Sequence, residues 1–369
     1  MTHGPIVVVG GGISGLAAAS AMSARGIAVA VLERRRTSVD AGLAINLPGN
    51  AVRAVEALGL IDGLEGLGRP IRRREYRTSA GKLLFEIDEE RFWGGRYCSR
   101  AVRRGTLLSL LELSLPSGTL RTDVEVEGVE DKGDRVDAML VGGDIVTGRL
   151  LVGADGIGSR LRSRLQLGER RQSGLAGTSW RAMIPNPGVD CWSLWQSPDC
   201  VILLMPVDEH DVYLWASLPT ERFPTYDKLL VAADRFPSVV RSAIASTLRE
   251  GTKLVASPLE EVHCRAWSKG RQLLIGDAAH AMAPVWAQGA ALGLEDALVL
   301  ADLIDHQADP IDVLAIFEAR RRPRVAHVRT ATSRMSRTAS MPGWLRDLML
   351  PSMGPRAYRS AYEPLRRLP

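Results

Sequence analysis

Three glycines close to the N-terminus, Gly10, Gly12 and Gly15, have the GxGxxG spacing of a loop that binds a dinucleotide. The first glycine allows a tight turn from strand to helix, and the second lets the backbone approach a pyrophosphate. The third lets the helix pack closely on the strand. The first amides of that helix carry a partial positive charge that suits phosphates. Glu33, at the end of the next predicted strand, is placed to accept hydrogen bonds from a ribose.

The loop needs a strand before it and a helix after it, and the apolar pattern predicts both. Residues 5–9 and 28–32 are rich in Val, Ile and Leu and predict buried strands, and residues 13–25 between them predict a helix that Gly26 closes. Such a strand–helix–strand unit implies parallel strands. Beyond it the pattern predicts helices at 50–58, 101–115 and 227–249, strands at 123–130, 135–141, 150–154 and 272–275, a strand-rich stretch from 175 to 218, and a helical remainder broken at Pro310, Pro342, Pro351 and Pro355.

Two later segments also have residue types suited to ligand binding. The run GADGIGSRLR ends at Arg162, and the run GDAAHAMAP ends at Pro284 and is followed by Gln288 and Gly289. Asp277 comes directly after the predicted strand 272–275. Ligands of open α/β sheets bind at the carboxyl ends of the strands, so we expect Asp277 at a binding site.

Together, the glycine loop and these two segments resemble the group A flavoprotein monooxygenases, the aromatic hydroxylases of the p-hydroxybenzoate hydroxylase type. The resemblance covers the chain to about residue 330. It implies a Rossmann-like FAD-binding domain, bound FAD, and NADH or NADPH as electron donor. It also implies that the Asp155 segment, with Ser159 and Arg162, braces the pyrophosphate region, although Asp155 and Ser159 are equally suited to cap a helix.

In this family the aspartate matched by Asp277 holds the ribityl chain or nearby phosphate oxygens, and the proline matched by Pro284 shapes a loop against the flavin. Arg104 resembles an arginine that begins a helix beneath FAD, with Arg103 as its competitor. The expected FAD-binding residues are therefore Gly10, Gly12, Ser14, Gly15, Glu33, Arg34, Arg104, Asp155, Gly276, Asp277, Pro284, Gly289 and Ala290.

One position departs from the family pattern. The family places a glycine before Gln-Gly, whereas this chain has Ala287 before Gln288. Alanine adds a Cβ where glycine adopts a positive φ freely, so the shape of this loop is in question.

Composition indicates an ordinary folded protein, because 46% of the 369 residues are hydrophobic and 24% are charged. No segment predicts a membrane span or a secretory signal, so we expect a cytoplasmic protein. The four cysteines lack metal-ligand spacing, so we expect no metal site.

Much of the net charge of +5 lies between residues 318 and 337. No nucleic-acid motif accompanies it, and we interpret it as a solvated helix flank.

The substrate side is marked by tryptophans and by a few polar residues. The resemblance places the strand-rich stretch over the flavin ring, where Trp180, Trp195, Trp215 and Trp286 would line an aromatic pocket. Each of them is equally suited to core packing. The candidates for catalysis or substrate binding are His210, Tyr213 and Arg181, with Arg74 as an alternative anion anchor, although His210 lies in a predicted hairpin turn.

These residues predict an α/β fold in which a Rossmann-like FAD-binding domain (residues 1–65, 97–170 and 265–330) is interleaved with a mainly β substrate domain (66–96 and 171–264). A helical C-terminal tail (331–369) follows. The predicted function is hydroxylation of an aromatic or polycyclic molecule by O₂ through a C4a-(hydro)peroxyflavin, by a monomer or homodimer. Epoxidation, Baeyer–Villiger oxidation, halogenation, NAD-linked dehydrogenation and a non-catalytic FAD-fold binding protein are the alternatives.

Overall fold

A computed structural model describes residues 4–36, 43–60, 66–173, 178–219, 225–249, 251–306, 310–339 and 341–369. Its strands are β1 (Ile6–Val9), β2 (Val29–Leu32), β3 (Ala44–Leu47), β4 (Arg69–Pro70), β5 (Arg73–Thr78), β6 (Leu83–Asp88), β7 (Arg100–Arg103), β8 (Leu120–Arg121), β9 (Val126–Asp131), β10 (Val136–Leu140), β11 (Ile145–Gly148), β12 (Leu150–Gly153), β13 (Gly168–Gln172), β14 (Thr178–Pro185), β15 (Trp192–Gln196), β16 (Val201–Pro206), β17 (Asp211–Ser217), β18 (Val255–Pro258), β19 (Glu260–Cys264), β20 (Ser268–Lys269) and β21 (Gln272–Leu274).

The α-helices are α1 (Ile13–Ser23), α2 (Gly49–Ala57), α3 (Glu89–Trp93), α4 (Arg104–Leu113), α5 (Arg160–Leu165), α6 (Tyr226–Ala233), α7 (Ser238–Ser246), α8 (Asp277–His280), α9 (Gln288–His306), α10 (Pro310–Ala339) and α11 (Gly343–Tyr362). Within the described residues, no helix is both long enough and apolar enough to span a membrane.

The first sheet has the strand order β20-β21-β12-β1-β2-β8. Strand β1 pairs in parallel with β2 on one side and β12 on the other, and β12 pairs in parallel with β21. Its central strands are buried runs of Val, Ile and Leu, as expected where helices cover both faces of a parallel sheet. Helix α1 packs against α9 and α4. The predicted α/β fold with a Rossmann-like sheet is confirmed.

The second large sheet has the order β18-β14-β17-β16-β15-β5-β6, so it combines a hairpin from residues 73–88 with later strands. Side chains alternate between its faces. One face forms a core with α6 and α7. The other face packs against β3 and β7, which form a small sheet with β4 beside the first sheet. This second face therefore looks toward the strand–helix–strand unit.

Three predicted elements differ from the structure. The predicted helix 101–115 begins as strand β7, and helix α4 starts only at Arg104. The predicted helix 227–249 is divided into α6 and α7, because Pro237 lacks the amide that a continuous helix needs. The expected breaks at Pro351 and Pro355 do not occur. Helix α11 runs through both prolines while its buried face, which includes Tyr358 and Tyr362, stays packed.

The interpretation of the Arg-rich segment as a solvated helix flank is wrong for its central residues. The side chain of Arg321, on α10, is fully buried and donates to Asp296 Oδ1 at 2.7 Å, to Glu295 Oε2 at 3.0 Å and to the Leu292 carbonyl at 3.1 Å. Arg324 donates to both oxygens of the same Glu295. These arginines neutralise buried carboxylates of α9 instead of facing water.

Replacing Arg321 with Met should lower the free energy of unfolding by about 3–5 kcal/mol, because it removes the fully buried guanidinium that pairs with both Glu295 and Asp296. The matched control is Arg320→Met, which removes a half-exposed arginine paired with Asp302 at 3.2 Å and should cost less than about 1 kcal/mol. Urea unfolding of both variants measures the difference. Equal losses in the two variants would contradict the importance that we assign to the buried network.

Candidate active site

The glycine loop between β1 and α1 has the close contacts that its spacing predicts. Gly10 has a φ of +114°, and a Cβ there would lie 2.4 Å from the Ala154 carbonyl oxygen. A Cβ on Gly15 would lie 1.9 Å from the Gly10 carbonyl oxygen. Neither position has room for a side chain. The start of α1 therefore lies tightly against β1 and presents its first amides beyond the strand.

Glu33, directly after β2, holds the loop from the side. Its Oε2 accepts a hydrogen bond from the Gly11 amide at 2.6 Å, and its Oε1 accepts one from the Arg35 amide at 2.9 Å. The carboxylate therefore has a fixed orientation at the position where the sequence motif predicts a ribose.

A cavity of about 590 Å³ opens at the carboxyl ends of β1, β2 and β12. It brings together segments from all three motifs, which are far apart in the chain. Among its lining residues are Gly10, Gly12, Ser14, Glu33, Arg34, Arg104, Asp155, Asp277, Gly289 and Ala290.

The cavity wall also includes residues that no motif marks, such as Ile45, Val126, Arg164 and Arg170. One signal was available for Arg164, because it follows Arg160 of the second motif by one helical turn and therefore shares its helix face. The others are adjacent to the cavity only through strand pairing and tertiary packing.

The two carboxylate oxygens of Asp155 have different surroundings. Its Oδ2 accepts from the Arg160 amide at 2.8 Å at the start of α5, while Oδ1 is buried and has no hydrogen-bond partner. Ser159 caps the same helix by accepting from the Arg162 amide at 2.9 Å. The helix-capping interpretation is thus correct for both residues. The free Oδ1 leaves an acceptor for a ligand group, because buried acceptors are rarely left unpaired.

Asp277 begins α8, and its side chain is exposed to the cavity although protein surrounds it. Desolvation by the surrounding protein raises the pKa of the Asp277 carboxyl, while electrostatic interactions with His280 and Arg104 oppose the rise. His280 lies behind it, with Nε2 2.7 Å from Asp296 Oδ2, which also accepts from the Gly276 amide at 2.8 Å. The buried ion-pair network of α9 and α10 therefore holds the turn that presents Asp277.

The remaining residues expected to bind FAD are not among the residues that line this cavity. Gly15 and Gly276 instead shape the backbone behind it: Gly276 has a φ of +57°, and a Cβ there would lie 2.2 Å from Ser14 Oγ. Pro284 is exposed at the start of a 3₁₀ turn, Pro284–Trp286. Of the two neighbouring arginines, Arg104 lines the cavity, whereas Arg103 pairs with Asp208 at 2.7 Å and with Asp211.

Arg181, Tyr213 and Trp215 lie together on the second sheet. Arg181 pairs with Trp215 across β14 and β17, and Tyr213 is two residues along β17, so all three share one face. Tyr213 packs against the small core that includes Ala44 of β3 and Ala101 of β7. Ile45, also of β3, and Arg104, which directly follows β7, line the cavity. This face of the second sheet therefore packs on the small sheet that borders the cavity, although Arg181, Tyr213 and Trp215 are not themselves among the cavity-lining residues.

The expected pocket position is wrong for two tryptophans. Trp180 and Trp195 point to the opposite face of the sheet and are buried in the core with α6 and α7. The physical reason is the two-residue period of a strand, which places Trp180 opposite to Arg181. Trp286 is buried beside Tyr362. His210 is exposed in the turn between β16 and β17, as its hairpin position predicts.

The two candidate anion anchors have different surroundings. Arg74 is buried and paired with the buried Glu89, so its charge is already neutralised. No carboxylate among the described residues pairs with Arg181, whose terminal nitrogen lies 3.2 Å from Ser179 Oγ and whose buried Nε lacks a partner. Of the two, Arg181 is the guanidinium with capacity for an anionic group.

The arrangement fits an FAD molecule. Gly10 and Gly12 line the cavity with backbone that carries no side chain, a helix N-terminus faces it, and the carboxylates of Glu33, Asp155 and Asp277 border it. Amides and a helix dipole suit the pyrophosphate, and carboxylate oxygens suit hydroxyl groups of ribose and ribityl.

Comparison with known proteins agrees with this geometry. Residues 4–332 match the FAD binding domain family. The chain is 31% identical to 3-amino-4-hydroxybenzoate 2-monooxygenase of Streptomyces platensis, covering 94% of this chain and 92% of that protein. It is 29% identical to 2-heptyl-3-hydroxy-4(1H)-quinolone synthase of Pseudomonas aeruginosa, and that alignment covers 94% of this chain and 93% of that protein.

The fold is also that of a solved structure with bound flavin. Klebsiella pneumoniae HpxO, complexed with FAD and uric acid, aligns with a TM-score of 0.79 over 99% of this chain and 93% of that chain, at 24% identity. The family match covers most of the chain and includes all three motifs of the cavity. The chain therefore belongs to the group A FAD-dependent monooxygenases, the p-hydroxybenzoate hydroxylase type that its three motifs resemble.

Proposed function

We propose that this enzyme uses NADH or NADPH and O₂ to hydroxylate an aromatic molecule that carries a carboxylate or an acidic phenol. The observation that carries the proposal is the position of Arg181. Its side chain has no carboxylate partner among the described residues, and it shares with Tyr213 and Trp215 the sheet face that packs on the small sheet of β3 and β7, which borders the cavity. A guanidinium on an aromatic surface suits a flat anion.

The relatives support this substrate class. The Streptomyces platensis enzyme is named for a hydroxybenzoate substrate, and the Pseudomonas aeruginosa enzyme is named for a hydroxylated quinolone product. Both are flat aromatic rings with polar substituents. We therefore propose that the substrate binds between the sheet face that carries Arg181 and the part of the cavity where the flavin ring would lie, near Gly289 and Ala290.

FAD, when bound, supplies the redox chemistry and the activation of oxygen. The protein supplies position and electrostatics. The carboxylates of Glu33 and Asp277 would hold the ribose and the ribityl hydroxyls, and the first turn of α9, with Gly289 and Ala290, would face the flavin ring. Arg181 would orient the substrate anion by charge-assisted hydrogen bonds.

Tyr213 would be a hydrogen-bond donor to the substrate. Burial raises the pKa of the Tyr213 hydroxyl, and the nearby positive charge of Arg181 opposes this rise. The hydroxyl is therefore protonated at neutral pH and can donate to a phenolate or carbonyl oxygen. The tyrosine positions the reacting ring rather than removing a proton from it.

The purified enzyme loaded with FAD should oxidise NADH or NADPH in the presence of hydroxybenzoates or hydroxyquinolones and release a product with one added oxygen atom. Mass spectrometry under ¹⁸O₂ tests the source of that atom. Product that forms only with added halide, or no product from any aromatic acid or phenol, would overturn the proposal.

Arg181→Met should lower kcat/KM about ten- to a hundredfold for an aromatic carboxylate, because a hydrogen bond to a charged group is lost. A matched neutral substrate, the carboxamide of the same ring, should be affected far less. Circular dichroism and flavin content serve as controls for folding. An equal loss for acid and amide would mean that Arg181 does not recognise the anion.

Asp277→Ala should weaken FAD binding at least about tenfold, since it removes a charged acceptor from the cavity. Asp144→Ala is the control, because Asp144 is exposed in the turn between β10 and β11, away from the cavity-lining residues. Titration of the apoprotein with FAD, followed by flavin fluorescence, measures both dissociation constants. Unchanged affinity in Asp277→Ala would remove Asp277 from the binding site.

A further inference from the structure

The C-terminal helix α11 lies beyond the family match, which ends at residue 332. Its last turns nevertheless reach the interior of the protein. Tyr358 and Tyr362 are buried, and their ring centroids lie 4.6 Å apart. Tyr362 makes edge-to-face contacts with Trp93, at 5.5 Å between ring centroids, and with Trp286, at 5.6 Å. The predicted helical tail is thus part of the core beside the segment that precedes α9.

The two tyrosine hydroxyls have different partners. Tyr358 donates at 2.5 Å to Glu89, which is paired with Arg74 on the second sheet. Tyr362 donates at 2.7 Å to the carbonyl oxygen of Trp286, the last residue of the 3₁₀ turn Pro284–Trp286. Helix α11 therefore contacts α3 through Tyr358 and the turn before α9 through Tyr362, four positions later.

The residue after Trp286 has an unusual backbone. Ala287 is left-handed, with φ +52° and ψ +33°. The left-handed conformation is unfavourable in free energy for a residue that has a Cβ, whereas glycine adopts it freely. It therefore persists at alanine only where the surrounding contacts enforce it. Ala287 is also the position where the family pattern has glycine. In this chain an external contact must therefore hold the turn.

Contacts on both sides of Ala287 provide that restraint. On one side, Tyr362 binds the Trp286 carbonyl. On the other, Gln288 and Asn50 exchange two hydrogen bonds, Nδ2 to Oε1 at 3.0 Å and Nε2 to Oδ1 at 3.1 Å. The left-handed residue is enclosed between these two buried contacts.

The turn determines the direction of the residues that follow it. Gly289 and Ala290, in the first turn of α9, line the cavity, and a Cβ on Gly289 would lie 3.5 Å from Asp277 Oδ1. A rotation about Ala287 would redirect the α9 amides away from the cavity. The position of these amides affects any anionic group bound there, because a helix N-terminus stabilises negative charge.

We propose that Tyr362 is a positioning residue of the flavin site: its hydroxyl holds the Pro284–Ala287 turn with Ala287 left-handed and so aims the N-terminus of α9 at FAD. This assignment rests on FAD binding, which family membership establishes, and is independent of the substrate proposed above. A purely structural tyrosine would stabilise the fold without affecting the bound flavin selectively.

The test compares Tyr362→Phe with Tyr358→Phe. Each variant removes one buried hydroxyl of α11 and keeps the ring, so each should lower the melting temperature. Only Tyr362→Phe should raise the dissociation constant of FAD, by about three- to tenfold for one hydrogen bond. It should also shift the midpoint potential of bound FAD to a more negative value, because the negative charge of the reduced flavin loses part of its stabilisation.

Ala287→Gly provides the decisive rescue. Glycine adopts the left-handed conformation without the cost of a Cβ, so the double variant Tyr362→Phe/Ala287→Gly should recover most of the FAD affinity and potential lost in Tyr362→Phe. Equal effects of Tyr358→Phe and Tyr362→Phe on FAD would overturn the proposal. Failure of Ala287→Gly to recover either quantity would overturn it as well.

Discussion

The ion pairing of the buried Arg321 guanidinium with the carboxylates of α9 is the interaction on which the FAD-binding side of the cavity depends. A charge without access to water is tolerated only when opposite charges and hydrogen bonds compensate it. Asp296 and Glu295 provide them. Burial by itself would raise the pKa of the Asp296 carboxyl, but the contacts with His280, the charge of Arg321 and the hydrogen bond from the Gly276 amide lower it to about 2, so it is ionised at neutral pH. Through Asp296 the same network holds the Gly276 amide, and with it the turn that presents Asp277 to the cavity.

Each side of the cavity is held by a different physical constraint. Steric exclusion holds the loop at Gly10 and Gly15, where no side chain has room. Hydrogen bonds hold Glu33 and Asp155. The turn before α9 is held by contacts from α2 and α11, because Ala287 does not favour its left-handed conformation by itself. The cavity therefore depends on residues from both ends of the chain.

Much of the FAD side was predictable because its residues act through local backbone geometry. Gly10, Gly15 and Glu33 belong to one strand–helix–strand unit, whose loop, helix and strands follow from spacing and apolar pattern. The substrate side was less predictable. Whether Trp180 or Arg181 lies on the face that packs against α6 and α7 depends on how the rest of the protein covers the sheet, and strand alternation alone leaves that choice open. Arg321 and Tyr362 carry no motif, because their partners are brought to them by helix packing.

The sequence by itself determined the α/β class, the dinucleotide loop and the two aspartate segments, since glycine sterics and apolar periodicity act over a few residues. Only the tertiary structure decided that an arginine of the basic segment is buried, that Arg74 has a carboxylate partner whereas Arg181 has none among the residues that the structure describes, and that the C-terminal helix contacts the turn before α9. These depend on contacts between residues far apart in the chain, and pairing of charges across such distances is fixed by packing rather than by local sequence.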